Sequence, residues 1–399
     1  MTMTGARSAS WTPPSCSWFC ERVRKDAQTE DALASTTMTA AVLGDPGEIE
    51  VRTVPRPVPG PDEVLVEVRR ASLCGTDVKI RSHAFFDGGR PPSADFIPGH
   101  EYAGVVAEVG SSVDEFAPGD RVVTEAHRGC MRCANCLRGA YTDCLNYGDR
   151  SKGHRAQGMT VNGGFAQYAL NHVSTLTRLP DAVSFDEAVL LTTAGTVMHA
   201  FDVVPRMLVG ATVAVIGPGP IGLIAVKIAR ELGAAKVVLV GTRAERLLIG
   251  TDLGADMVVD GRLPDAVERV RAAFGGVGAD IVLECSGAAA AVDPALLMCK
   301  RGGDVVLVGF FGAPVTADLN RAVTSGITLR TVRGEGSGSV ARAVALATRG
   351  RLPLGGLITH RFPLERIDEA FATYIERRGG AIKVMLDLPE PSSADERPA

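Results

Sequence analysis

The stretch that decides the fold is "ATVAVIGPGPIGLIAVKIARELG", residues 211–233. An apolar "VAVI" runs into Gly217-Pro218-Gly219-Pro220-Ile221-Gly222, a G-x-G-x-x-G, and an amphipathic segment follows at once. The glycine pattern alone is a weak signal. Placed directly after a strand and at the opening of a helix, it marks a dinucleotide-binding βαβ unit. Glycines there permit the tight turn, the close approach of a pyrophosphate and close helix–strand packing. The unpaired N–H groups at the helix start favour the phosphates. Gly217, Gly219, Pro220, Ile221 and Gly222 are therefore candidate cofactor contacts.

Downstream the same rhythm continues through "AKVVLVG", "AERLLIGTDLGAD", "MVVD", "ADIVLECSG" and "GGDVVLVGF". Apolar strands alternating with amphipathic helices predict a parallel sheet covered on both faces, a doubly wound Rossmann-type domain. About 20 residues beyond the glycines, an NAD binder usually carries an acid that accepts bonds from the ribose 2′-OH. Here "LVGTR" puts Gly241 at that place, followed by Thr242 and Arg243. A carboxylate would repel a 2′-phosphate, whereas glycine leaves room and a hydroxyl with a guanidinium would bind it. The expected cofactor is NADP(H), with NAD(H) as the alternative if Arg243 is only a solvated charge at a helix start.

Upstream, residues 41 to about 125 alternate in the manner of β-strands, with "PGP" and "APGD" as turns. Beyond about 331, two helical segments and a closing strand, "AIKVMLDL", return to that first style. The expectation is an α/β protein. A β-rich domain, 38–190 and 331–388, is interrupted by the dinucleotide domain, 191–330. A length of 399 residues suits two domains. Residues 1–37, with Cys16 and Cys20, lack periodicity and read as a disordered extension; 389–399 reads as a disordered tail.

A net charge of −4 gives no reason to expect nucleic acid or an anionic membrane as partner. No run approaches the roughly 18 apolar residues of a membrane span, and the start is not that of a secretory signal. These features predict a reduced, cytoplasmic setting, in which clustered thiols favour metal over disulfide. Such a cluster is "GCMRCANCLRGAYTDC", 129–144, inside the loop 129–145. Cys130, Cys133, Cys136 and Cys144 have the short spacings of a closed four-thiolate zinc site, which leaves no position for substrate and so is structural. A second constellation lies in "LCGTD" (73–77) and "PGHEYAG" (98–104), where Cys74, His100 and Glu101 stand beside turn glycines.

Together these motifs, with "PGDRV", "GGFAQY", "GPGPIG" and "ITHRFPLERIDEAF", make the sequence resemble the zinc-containing medium-chain alcohol dehydrogenases, in the polyol, sorbitol and threonine dehydrogenase-like branch. The resemblance covers roughly 40–388 and depends on the order and spacing of the motifs as well as their content. It implies a GroES-like fold for the β-rich domain and a homodimer or homotetramer. It also implies zinc-assisted hydride transfer between a secondary alcohol or polyol-like substrate, or its ketone, and NADP(H). Cys74 and His100 match the catalytic zinc ligands, and Glu101 an acid beside that zinc. Thr76 matches the hydroxyl that binds the substrate alcohol and starts a proton relay. Asp77 matches a carboxylate orienting the ligand histidine, and the four loop cysteines match the structural zinc site.

Two positions depart from the family pattern. Aligning "AVLLTTAGTVMHA" (188–200) with the segment that carries the remaining catalytic ligand puts Thr192 in that place, and a neutral threonine is a poor zinc ligand. Three arrangements are then open. Glu101 completes a Cys74–His100–Glu101 set, the catalytic metal is weakly held or lost, or Asp95 or His83 serves as ligand. Lys79 stands where a histidine often ends the proton relay; it reads equally as a cofactor contact or a surface charge. His199 reads as a packed residue, His127, His154 and His172 as loop residues, and Cys285 and Cys299 as core. The competing function is a non-catalytic NADP(H)-binding protein with structural zinc only. A zinc-free quinone or enoyl reductase is opposed by Cys74, His100 and the cysteine loop.

Overall fold

The computed structural model describes residues 36–86, 89–336 and 338–388. Of the extension expected over 1–37, residues 1–35 lie outside the described residues, with Cys16 and Cys20, as does 389–399; Thr37 already opens the strand Thr37–Leu43, so the ordered chain starts before the expected boundary. Six parallel strands form one sheet, in the order Met257–Asp260, Lys236–Gly241, Thr212–Ile216, Ala279–Glu284, Cys299–Leu307, Thr328–Thr331. Numbered along the chain this is 3-2-1-4-5-6, the doubly wound order, and the reversal beside Thr212–Ile216 opens the crevice used by dinucleotides. The apolar runs follow from burial on both faces. Val213 and Val215 enter one hydrophobic cluster, and Ala214 and Ile216 the other.

A seven-stranded, mainly antiparallel sheet forms the β-rich unit around the long strand Glu63–Ser72. That strand pairs with Tyr102–Val109, Tyr168–His172 and the late strand Lys383–Asp387, with Met385 opposite Ser72. Ile358–Pro363 runs parallel to Lys383–Asp387 at the edge. Residues separated by some three hundred positions thus share one sheet, and its far end carries the segment Leu73–Cys74.

The helix Phe185–Asp202 joins the two units. Ser184 caps it by accepting the Glu187 N–H at 3.2 Å, with Asp186 and Glu187 in the favourable first turn. The helix packs against the strands Glu63–Ser72 and Tyr102–Val109 on one side, and the helices Pro220–Glu231 and Ser339–Thr348 on the other. The expected boundary at 190/191 therefore falls inside a continuous helix. Burial on most of its faces explains why no polar linker marks the junction. Among the described residues, no helix is long and apolar enough to cross a membrane.

Candidate active site and metal centres

Cys74 leaves the central strand in extended geometry and caps the short helix Gly75–Arg81. Its backbone N–H donates to Asp77 Oδ2 at 2.8 Å, the backward arm of a capping box. The other oxygen, Asp77 Oδ1, stands 3.2 Å from His100 Nδ1, an electrostatic contact not aligned as a full hydrogen bond. With Nδ1 turned to Asp77, the second ring nitrogen of His100 is left for the Cys74 side. Burial lowers the His100 pKa, but the charges of Asp77 and Cys74 outweigh it and the net shift is well upward. Thr76 lies half-buried on the first turn of the same helix.

Glu101 is 3 % exposed and heavily engaged. Ser72 donates to its Oε2 at 2.6 Å and Thr193 to its Oε1 at 2.6 Å. The ammonium of Lys383, itself buried, pairs with Oε2. Burial raises the Glu101 pKa; Lys383 and His100 more than reverse this, holding it below its ordinary value. Burial lowers the Lys383 pKa, and Glu101 and Cys74 reverse it upward. One ligand atom each from Cys74, His100 and Glu101 lie within 4.8 Å of one another. Thiolate, imidazole and carboxylate form a set that zinc accepts. Thr192 is spent elsewhere: its hydroxyl donates to the Thr124 carbonyl at 2.8 Å.

Asp95 and His83 lie apart from this centre. The Asp95 side chain is 72 % exposed and pairs with Arg52. His83, at φ +61°, turns its ring nitrogens to the carbonyls of Gly89 at 3.2 Å and Gly44 at 3.0 Å. Lys79 places its ammonium 4.8 Å from the Phe310 ring centroid, a cation–π contact between the β-rich unit and the loop after Cys299–Leu307.

In the cysteine loop the Sγ atoms of Cys130, Cys133, Cys136 and Cys144 lie within 4.8 Å of one another, with no disulfide. Backbone and side-chain N–H groups aim at the sulfurs: Cys130 N to Cys144 at 3.3 Å, and Asn146 Nδ2 to Cys130 at 3.1 Å. The amide of Arg132, with help from Asn146, pulls the Cys130 pKa down to about 6 despite burial. Burial and the neighbouring Cys133 push Cys136 up to about 12. The donor set fits a closed tetrahedral zinc site. Gly129 is needed there, since a Cβ would come within 2.5 Å of Cys136 Sγ.

At the dinucleotide turn, Gly217 has φ +104° and Gly219 precedes Pro220 at the first helical position. A Cβ on Gly222 would meet the Gly217 carbonyl at 1.9 Å, so helix and turn touch backbone to backbone. A Cβ on Gly219 would project into open space, the cradle a pyrophosphate fills. Gly241 ends the second strand, but the space beside it is not free: a Cβ would meet Pro218 Cγ at 2.4 Å. The expectation that glycine leaves room there is thus corrected, because the proline ring of the phosphate turn occupies that room. Thr242 is exposed and Arg243 half-buried at the start of the next helix. Burial and the nearby Arg377 lower the Arg243 pKa, and burial with Arg243 and Arg377 does the same to Arg246, so three guanidinium groups gather there.

Motif reading missed the partners that arrive from a distance: Ser72, Thr193 and Lys383 around Glu101, Arg246 and Arg377 near Arg243, and Glu335 against His127. His199 Nδ1 meets the Gly334 carbonyl at 3.1 Å, and Cys285 and Cys299 are buried.

A doubly wound dinucleotide unit joined to a β-rich unit with two sulfur-containing donor clusters defines a zinc-type oxidoreductase. Comparison with known proteins makes the class specific. Residues 60–181 match the alcohol dehydrogenase GroES-like domain, and 220–349 match the zinc-binding dehydrogenase model. L-threonine 3-dehydrogenase from Bacillus licheniformis is 33 % identical over 352 residues, covering 87 % of this chain and 98 % of that one. Sorbitol dehydrogenase from Bacillus subtilis is 30 % identical over 356 residues, covering 88 % and 97 %. A zinc-binding dehydrogenase of Sinorhizobium meliloti, solved bound to NADP, superposes with a TM-score of 0.77 at 30 % identity, covering 88 % and 99 %. The chain belongs to the zinc-containing medium-chain alcohol dehydrogenase family.

Proposed function

We propose that this chain moves hydride reversibly between a secondary alcohol or polyol-like compound, or the matching ketone, and NADP(H), at a centre built by Cys74, His100 and Glu101. The convergence of these three donors within 4.8 Å carries the reading. When bound, zinc supplies polarisation of the substrate oxygen and the nicotinamide supplies the hydride acceptor. The alcohol loses one hydride and one proton in becoming the ketone. Thr76, beside Cys74, receives the substrate hydroxyl's hydrogen bond and begins the proton's outward path. Asp77 holds His100 in orientation. Lys383, Ser72 and Thr193 hold Glu101 ionised at the edge of the centre.

Arg243, with Arg377 close by, supports NADP(H) over NAD(H), because guanidinium groups near the end of the second strand favour a 2′-phosphate. The reading extends to a cytoplasmic homodimer or homotetramer acting on small molecules. A second reading, a cofactor-binding protein with structural zinc only, is favoured by the engagement of Thr192 with Thr124.

Zinc content with initial rates over an alcohol panel separates the two. Two zinc ions per chain, and turnover lost in Cys74→Ser while the fold and one zinc persist, are the expected results. One zinc in the wild type with no turnover would replace the enzyme reading by the second.

A further inference from the structure

The helix Ile367–Glu376 of the β-rich unit ends in a turn that reaches the cofactor unit. Arg377 closes the helix in the left-handed region, at φ +57° and ψ +38°, and Gly379 and Gly380 follow at φ +55° and +76°. Within the turn the Gly380 N–H donates to the Arg377 carbonyl at 3.2 Å, and the Ala381 N–H to the Arg378 carbonyl at 3.0 Å. A contact from the other unit holds it: Arg246, on the helix Ala244–Asp252, donates a guanidinium N–H to the Ala381 carbonyl. Arg243 stands at the start of that same helix, three positions before Arg246, so the two share a face. The buried strut of Arg246 thus brings the turn with Arg377 against the strand end that carries Arg243.

The charges at this junction are unbalanced. Arg377 is exposed and Arg243 half-buried, and among the described residues neither guanidinium has an ion pair or a side-chain hydrogen bond. The carboxylates of the last helix are engaged by other partners: Glu376 pairs with Arg378 at 2.7 Å, and Glu369 with Arg366 at 2.5 Å. Burial and the charge of Arg377 lower the Arg243 pKa against the smaller pull of Glu245. Two like charges, one from each unit, are therefore held near each other by a fixed turn, and they repel until an anion sits between them. Glycine would take the conformation of Arg377 without steric cost, so an arginine at this point carries backbone strain along with its charge.

We propose that Arg377 is a second cofactor-discriminating residue, which with Arg243 grips the 2′-phosphate of NADP(H) from opposite units, so that NADP(H) ties the β-rich unit to the cofactor sheet and NAD(H) does not. The proposal rests on the NADP(H) reading and deepens it. A phosphate ester carries a charge near about −2 and three acceptor oxygens, enough for two guanidinium groups. A ribose 2′-OH is neutral and leaves the two cations facing each other. Arg243 belongs to the cofactor unit alone. The helix that ends in Arg377 packs instead on the strands Ile358–Pro363 and Lys383–Asp387 of the β-rich sheet. One turn earlier that helix carries Tyr374, whose hydroxyl lies 3.8 Å from where a Cβ on Gly75 would stand, next to Cys74. The grip on the phosphate is thus one helical turn away from the helix that Cys74 caps.

The test measures dissociation constants of NADPH and NADH by nucleotide fluorescence in the wild type, Arg377→Asn, Arg377→Lys and Arg243→Ala. Asparagine accepts the left-handed conformation, so Arg377→Asn removes the charge and keeps the turn; thermal melts check that it is folded. Arg377→Asn should weaken NADPH at least about tenfold and leave NADH unchanged. Arg377→Lys, which keeps the charge without the planar fork, should lose less. Saturating NADPH should also slow amide exchange across residues 377–381 more than saturating NADH, and Arg377→Asn should abolish that difference. A folded Arg377→Asn with wild-type NADPH affinity, or with equal losses for both cofactors, overturns the proposal, as does exchange in the wild type that is the same with either cofactor. If Arg243→Ala still weakens NADPH selectively in those cases, the NADP(H) reading stands without the grip. A wild type that binds NADH as tightly as NADPH overturns both.

Discussion

Asp77 and His100 meet at 3.2 Å, oxygen to ring nitrogen, while the second oxygen of Asp77 holds the Cys74 N–H at 2.8 Å. One carboxylate therefore fixes both sulfur and imidazole donors, and its removal should be felt at the metal before it is felt in the fold. Asp77→Asn should weaken zinc binding and kcat/KM by about 10- to 100-fold, with a stability loss on the order of 1 kcal/mol from the cap. Zinc titration and thermal melts check this; unchanged zinc affinity and rate would show the contact to be idle.

The Lys383–Glu101 pair is almost entirely buried. Lys383→Met leaves a carboxylate without its countercharge and should cost about 3–5 kcal/mol. Adding Glu101→Gln should recover most of that loss, because the unpaired charge is then gone. Denaturant unfolding of both variants measures the difference, and a double variant no better than the single would reject the pairing.

Glu125 gives a pH dependence of defined sign. Its folded pKa is raised, to about 8, by burial and then Glu335. Between its ordinary range and that value, the folded chain holds a proton that the unfolded chain has released. Its contribution to stability is therefore full below the ordinary carboxylate range and declines as pH rises towards 8. Glu125→Gln should flatten this part of the stability profile; an unaltered slope between about pH 5 and 8 would refute it.

Gly241→Asp, the change that would install an acid for the ribose, should not produce an NAD-preferring protein. The Pro218 ring stands 2.4 Å from where the new Cβ would lie, so the phosphate turn must shift and both cofactors should bind more weakly. Arg243→Ala should instead weaken NADPH more than NADH, by about tenfold or more for a lost charge-assisted contact. Dissociation constants from nucleotide fluorescence decide both, and equal losses in Arg243→Ala would remove the 2′-phosphate role.

The parts of this molecule that are legible in sequence are those written in short spacings. The glycine turn at 217–222 and the strand rhythm around it lead directly to the parallel sheet, and the cysteine loop to the four sulfurs. The rest depends on long separations that carry no local pattern. Ser72, Thr193 and Lys383 reach Glu101 across 29, 92 and 282 positions. Glu335 reaches His127 across 208. Burial makes these contacts strong, and only the folded sheets bring them together. Gly241 shows a subtler limit: an absent side chain reads as open space in sequence, but the neighbouring proline occupies it.

The pairing of Lys383–Asp387 with Glu63–Ser72 also sets a schedule. The strand leading to Cys74 has one neighbour that follows it by some three hundred residues. The parallel sheet, complete by Thr331, can fold in the meantime as a unit of its own. Lys383 lies on the later strand, so the acid beside Cys74 and His100 gains its countercharge only when that strand docks. The metal centre is thereby coupled to the closure of the β-rich sheet across the inserted cofactor sheet.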